Sequence, residues 1–267
     1  MRYKLGNVTI FVVIFLLAII IISNPFSNEI AIGPQPIDGS EYSERVQRPV
    51  SNFLLQRQFP NTMVLTGSLL DDKIALTFDD GPDPRFTPLI LDVLKQYNAR
   101  ATFFVMGSRA VAYPDIIRRM ENEGHVIGNH TYWHPNLVRH EVERTRWEVL
   151  ETEKVLNDIL GYRPRLFRAP YGALNTDVVQ ELARQDFSVV GWSVDSLDWR
   201  QLPADEIARN VLGNVHPGAI VLFHDGGDWT MDLTGTVNSL HEIIPVLQQE
   251  GMSFVTVPEL INISKRK

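Results

Sequence analysis

Lys73-Ile74-Ala75-Leu76-Thr77-Phe78-Asp79-Asp80-Gly81-Pro82 is an apolar run that ends on two adjacent carboxylates and a Gly-Pro break. The run reads as a buried strand, being short, apolar and closed by a turn signal. Successive side chains of a strand point to opposite faces. Asp79 and Asp80 therefore serve one site only if the strand ends there, and Gly81-Pro82 ends it. Two acids at a strand terminus, one to hold a metal ion and one to take a proton, suit hydrolysis.

Beyond this stretch, short apolar runs alternate with helical periodicity. Strands are expected at 101–106, 125–128, 165–167, 187–194, 219–223 and 253–257. Helices are expected at 87–98, 114–123, 138–160, 176–185, 203–215 and 237–249, the last with Pro245 inside it. Such alternation implies parallel strands joined by crossover helices. The six to eight units fit a small or incomplete barrel. An open doubly wound sheet fits too, although no Gly-x-Gly-x-x-Gly follows the first strand.

Polar residues gather where these strands end: Asp79 and Asp80, then His130 and His134, then Arg168, then Asp195, Asp198 and Trp199, then His224. In a parallel barrel those ends share one face, the face on which active sites are built. His130-Thr131-Tyr132-Trp133-His134 sets two imidazoles four apart, a spacing that one helical turn brings to a common side. Pro135 disfavours helix at His134, so a single irregular turn is expected. Alone, the pair reads equally well as two unrelated loop histidines. With the strand-end Asp-Asp it becomes a metal site of two His and one Asp, with a coordination position left open.

Asp79 is then a candidate general base, with a turn cap before Gly-Pro as the plainer alternative. Arg168 would hold it charged and oriented, although Arg163 and Arg165 close by allow a plain surface arginine. His224 is a candidate general acid with Asp198 to orient it; a strand-end histidine and a turn cap are the plainer alternatives. Trp199 and Leu222 would line a small apolar pocket, or belong to the core.

Composition narrows the field. The 267 residues are 44% hydrophobic, carry a net charge of −7 and contain no cysteine. Disulfides and thiolate ligands are excluded, so a metal must be held by His, Asp or Glu, as in catalytic rather than structural zinc sites. No basic tract of nucleic-acid type is present. Residues 8–22 are almost unbroken apolar side chains after Arg2 and Lys4, with no Ala-x-Ala cleavage site. Residues 1–23 are thus expected to be a transmembrane anchor, with a cleaved signal as the alternative. The basic end would stay in the cytoplasm and the rest would lie outside it. Residues 24–66, with five prolines and no sustained period, read as a stalk or packed arm, and 67–264 as the catalytic domain.

The segments Thr77–Pro82, His130–His134, Arg168-Ala169-Pro170-Tyr171-Gly172, Asp195-Ser196-Leu197-Asp198-Trp199 and Leu222-Phe223-His224 resemble, in order, the five motifs of the NodB-type polysaccharide deacetylases, carbohydrate esterase family 4. The resemblance covers about Leu69 to Pro258. It implies an α/β fold, a distorted (β/α) barrel of seven or eight strands. It implies Asp80, His130 and His134 as ligands of one divalent ion, with zinc the default and cobalt, nickel or manganese as alternatives. It also implies Asp79 as base, Arg168 as its partner, His224 as acid and Asp198 as the residue that steadies it. The backbone N–H of Tyr171 would help hold the oxyanion, and Trp199 and Leu222 would receive the acetyl methyl. The implied substrate is an N-acetylated glycan, peptidoglycan or chitooligosaccharide, with no nucleic acid and no protein partner. A related barrel amidohydrolase acting on a cyclic amide, and a membrane-tethered glycan-binding protein without turnover, are the rival readings.

Overall fold

The structure is a computed structural model and describes residues 50–267. The expected anchor, 1–23, and the stalk up to residue 49 lie outside the described residues. Among the described residues no helix is long and apolar enough to cross a membrane.

The strands are β1 (Met63–Val64), β2 (Lys73–Asp79), β3 (Ala101–Val105), β4 (Val126–Asn129), β5 (Leu166–Phe167), β6 (Ser188–Val190), β7 (Val194–Asp195), β8 (Ile220–His224) and β9 (Ser253–Phe254). Every pairing between them is parallel. Their order is β1-β6-β5-β4-β3-β2-β8-β7, with β9 beside the start of β2. The helices are α1 (Asn52–Gln58), α2 (Thr87–Gln96), α3 (Gly107–Ala112), α4 (Pro114–Asn122), α5 (Val142–Leu160), α6 (Thr176–Arg184), α7 (Ala204–Leu212), α8 (Thr234–Gln249) and α9 (Val257–Ile261).

The expected strand over 187–194 is two strands, and the break shapes the sheet. β6 lies against β5 and β1, whereas β7 lies against β8. Between them the Gly191 N–H bonds to Val64 O and the Ser193 N–H to Ile220 O, so the chain exchanges neighbours there. One run of backbone thus begins at one side of the sheet and ends at the other. The seven- or eight-stranded barrel expected from the sequence takes the form of a curled half-barrel of parallel strands.

Alternation along β2, β3 and β8 separates two of the three buried clusters, as the period of two requires. Ile74, Leu76 and Phe78 of β2 join Phe103, Val105, Val221 and Phe223 beneath the helices. Phe78 stacks between Phe103 and Phe223, at centroid distances of 5.1 and 5.5 Å. Ala75, Phe104, Leu166, Val190, Trp192, Ile220 and Leu222 form a second cluster on the alternate positions. The strand ends that carry the polar residues therefore stand on backbone packed from both sides.

Several boundaries differ from expectation. Of the two forms expected for the segment up to residue 66, residues 50–66 take the packed arm: Leu55, Met63 and Leu65 are buried, and Asn52 Nδ2 donates to Gly172 O at 3.0 Å. The folded unit thus begins before residue 67. The helix expected from 138 starts at 142, because His140 and Glu141 are extended after a separate 3-10 turn at Leu137–Arg139. The last strand stops at Phe254, where Thr256 and Glu259 form a capping box and start α9 instead.

Candidate active site

β2 ends at Asp79, and the next residue leaves the strand geometry altogether. Asp80 has a φ of 73°, in the left-handed region. That reversal lets two adjacent acids serve one site, which a continued strand would forbid. The turn is held from β8: Gly81 N–H donates to Asp225 Oδ1 at 3.1 Å, and Asp225 N–H to Asp79 O at 3.0 Å. A Cβ on Gly81 would fall 2.1 Å from Asp225 Oδ2, so a larger residue there would have to displace the carboxylate that holds the turn.

His130 and His134 meet Asp80 from the turn after β4. Asp80 Oδ1 lies 3.3 Å from His130 Nε2 and 3.1 Å from His134 Nε2. One ligand atom from each of the three residues lies within 4.8 Å of the others. His130 Nδ1 is 2.9 Å from Arg168 O, so its N–H donates there and Nε2 keeps a lone pair. Asp80 Oδ1 is buried and accepts no hydrogen bond. A lone pair facing a carboxylate oxygen repels unless a cation or a proton lies between them. The donor set, two imidazoles and one carboxylate, therefore fits a divalent ion of the zinc type. Burial opposes the Asp80 charge, and positive charge on the His134 and His130 rings would outweigh it and hold the carboxyl well below its usual range, the part a bound cation would take.

Asp79 is 4% exposed and divides its two oxygens. Oδ1 accepts from Arg168 Nη1 at 2.8 Å, and Oδ2 lies 3.9 Å from His130 Nε2. Arg168 is 1% exposed, yet every nitrogen of its guanidinium is engaged. Nε donates to Val190 O, Nη2 to Gly191 O, and Nη1 to Thr77 Oγ1 as well as to Asp79. Its plane lies over Phe104 at 4.2 Å. Burial pulls the guanidinium below its ordinary value and Asp79 opposes that pull. The surface-arginine reading of Arg168 does not survive: it is a buried strut anchored to the break between β6 and β7.

His224 ends β8. Its Nδ1 is 2.8 Å from Asp198 Oδ1, and its backbone N–H donates to Asp198 Oδ2 at 2.8 Å. Thr236 Oγ1 donates to the same Oδ2 at 2.9 Å. Both partners are buried, at 3% and 1% exposure. Nδ1 is committed to Asp198, so proton transfer would fall to Nε2.

A cleft of about 340 Å³ is lined by Asp80, His134, Tyr171, Trp199 and His224, together with Met106, Arg109 and Met231. Tyr171 has a φ of 60°, and its ring meets the His134 ring edge-on at 4.6 Å. Leu222 is placed differently from the expected pocket wall. It stands two residues before His224 on the same face of β8 and is 1% exposed within the cluster of Ala75, Phe104 and Trp192. It is absent from the cleft lining, because it lies one step deeper along the strand.

Sequence reasoning missed Thr77, Arg109 and Asp225. Thr77 lies inside the opening motif, on the same face as Asp79, and that alternation was the available signal. Arg109 follows the end of β3, so the strand-end rule applied there would have found it. Asp225 follows His224 directly. Burial pushes it up to about 7, against its hydrogen bond from Thr87 and with the help of Asp80.

Comparison with known proteins finds relatives in both sequence and structure. The polysaccharide deacetylase family pattern matches residues 48–190. The chain is 47% identical over 197 residues to a peptidoglycan-N-acetylglucosamine deacetylase of Bacillus cereus, covering 73% of this chain and 70% of that protein. It is 42% identical to a chitooligosaccharide deacetylase of a Bradyrhizobium species, covering 70% of this chain and 90% of the relative. It spans half the length of the Listeria monocytogenes relatives it matches. In three dimensions it resembles a peptidoglycan N-acetylglucosamine deacetylase solved with 4-naphthalen-1-yl-N-oxidanyl-benzamide. The TM-score is 0.76 at 43% identity, over 79% of this chain and 98% of the other.

Proposed function

The chain belongs to the polysaccharide deacetylase family, and on that premise we propose that it hydrolyses the acetamide of N-acetylhexosamine residues in peptidoglycan or a chitin-like glycan, releasing acetate and leaving a free amine. The observation that carries this reading is Asp79, whose Oδ1 is pinned by Arg168 while Oδ2 faces the cluster of Asp80, His130 and His134.

Asp80, His130 and His134 would hold the ion. When bound, a divalent metal supplies Lewis acidity, which polarises the acetamide carbonyl and acidifies water. Asp79 Oδ2 takes the proton of the attacking water, and Arg168, bonded to Oδ1, keeps that carboxylate aimed. The backbone N–H of Tyr171 donates to the carbonyl oxygen as it gains charge; one fixed donor there contributes about 3 kcal/mol. His224 Nε2 then gives a proton to the amine as the C–N bond breaks, a step that contributes typically about 10²–10⁴-fold. With Nδ1–H held by Asp198, the ring that gives this proton is the imidazolium, and Asp198 keeps it oriented. Trp199 takes the acetyl methyl, with Leu222 packed deeper on the His224 face.

The N-terminal sequence, with Arg2 and Lys4 before residues 8–22, supports a membrane-tethered enzyme whose catalytic part faces the cell wall. Mass spectrometry tests both parts. Purified protein supplied with zinc should remove acetyl groups from N-acetylglucosamine oligomers. Cells expressing the whole chain should carry deacetylated wall fragments. Intact oligomers would refute the chemistry; active protein with an unchanged wall would refute the location or the wall substrate.

A further inference from the structure

We propose that Glu148 is a positioning residue of the metal-ligand turn, and that its buried side-chain acceptor oxygen sets the affinity of the site by fixing the backbone between His130 and His134. The inference rests on the metal-binding reading above.

The turn is held in a conformation that its sequence does not favour. Thr131 and His134 have φ values of 67° and 60°. The left-handed region is rare for ordinary residues and rarer for a β-branched one, and it persists only where the surroundings enforce it. Part of the restraint is local: Thr131 N–H donates to Asn129 Oδ1 at 2.9 Å, and His134 N–H to Thr131 Oγ1 at 3.1 Å. The amides between them are gripped from another element. Tyr132 N–H and Trp133 N–H both donate to Glu148 Oε2, each at 2.8 Å. Two successive backbone amides closing on one anionic oxygen form a small nest.

Glu148 lies in the second turn of α5 and is fully buried, beside buried Thr145, Val149 and Thr152. A carboxylate in such a place is costly unless it is paired. Arg144, one helical turn earlier, pairs with Oε1 and leaves Oε2 for the turn. Glu148 thus ties a long, well-packed helix to the peptide planes that separate two ligands. Groups outside the coordination sphere that orient the ligands typically change metal affinity by about 10–100-fold when lost.

Glu148→Ala would strand two part-buried N–H groups, so a graded pair of variants is the better test. Glu148→Asp keeps the charge and shortens the reach; Glu148→Gln keeps the reach and removes the charge. Zinc affinity is measured by competition with a chelating dye, and geometry by the visible spectrum of the cobalt-loaded protein. Glu148→Asp should weaken zinc about 10–100-fold and shift the cobalt bands. Glu148→Gln should stay near wild type in both. Glu153→Gln is the control, because Glu153 is buried on the same helix but pairs with Arg163 and Lys267. It should lower the unfolding midpoint without moving zinc affinity. Wild-type affinity in Glu148→Asp would overturn the inference alone, as would an equal loss in Glu148→Gln or in the control. A wild-type protein that binds no zinc would overturn the metal-binding reading and this inference with it.

Discussion

Asp79→Asn is expected to lower kcat by about 10²–10⁴-fold while zinc stays bound. The substitution removes the proton acceptor and leaves the ion's ligands in place. The amide oxygen can still accept from Arg168 Nη1, and the three atoms that converge on the ion are untouched. The same change leaves the buried Arg168 without a counter-charge, and breaking a buried pair costs about 3–5 kcal/mol. The variant should therefore unfold at a lower midpoint, and its kinetics belong at a temperature where it is fully folded. Near-normal turnover in folded, zinc-loaded Asp79→Asn would rule out Asp79 as the base.

His130→Ala should fail in the opposite order, losing the metal first and activity as a consequence. His130 is 2% exposed and does two things: Nε2 faces Asp80 Oδ1, and Nδ1 ties the turn to Arg168 O. Its removal takes one of three ligands together with the bond that orients it. The loss of zinc affinity should exceed the roughly 10–100-fold typical of an outer partner. Elemental analysis after gel filtration reads this directly. Deacetylation should fall close to the uncatalysed rate, and added zinc should not restore it at concentrations that saturate wild type. A variant that retains a full complement of metal would refute the assignment of His130 as a ligand.

The two variants differ in a way that the sequence already hinted at, and the reason is local. The strand ending at Asp79, the break at Gly81-Pro82 and the His130-x-x-x-His134 spacing are short-range features, and the structure gathers those residues at one end of a parallel sheet. Arg168 was ambiguous beside Arg163 and Arg165. Nothing in its neighbourhood showed that the break at Gly191 would offer it a carbonyl. The division of 187–194 into two strands was illegible for a related reason, because it depends on which strands lie alongside, Val64 on one side and Ile220 on the other. Leu222 shows that a strand position gives a face but not a depth. Glu148 was hidden inside a helix whose polar residues look like a solvated face. Its burial comes from the turn that closes over it, some fifteen residues away along the chain.

The central claim is that amide hydrolysis here depends on an ion held by Asp80, His130 and His134. The direct measurement is acetate release from N-acetylglucosamine oligomers by purified protein before chelation, after chelation with dialysis, and after zinc is returned, with metal content determined at each stage. The account predicts one ion per chain, activity that disappears with it, and recovery when zinc is restored. Unchanged acetate release from metal-free protein would contradict it.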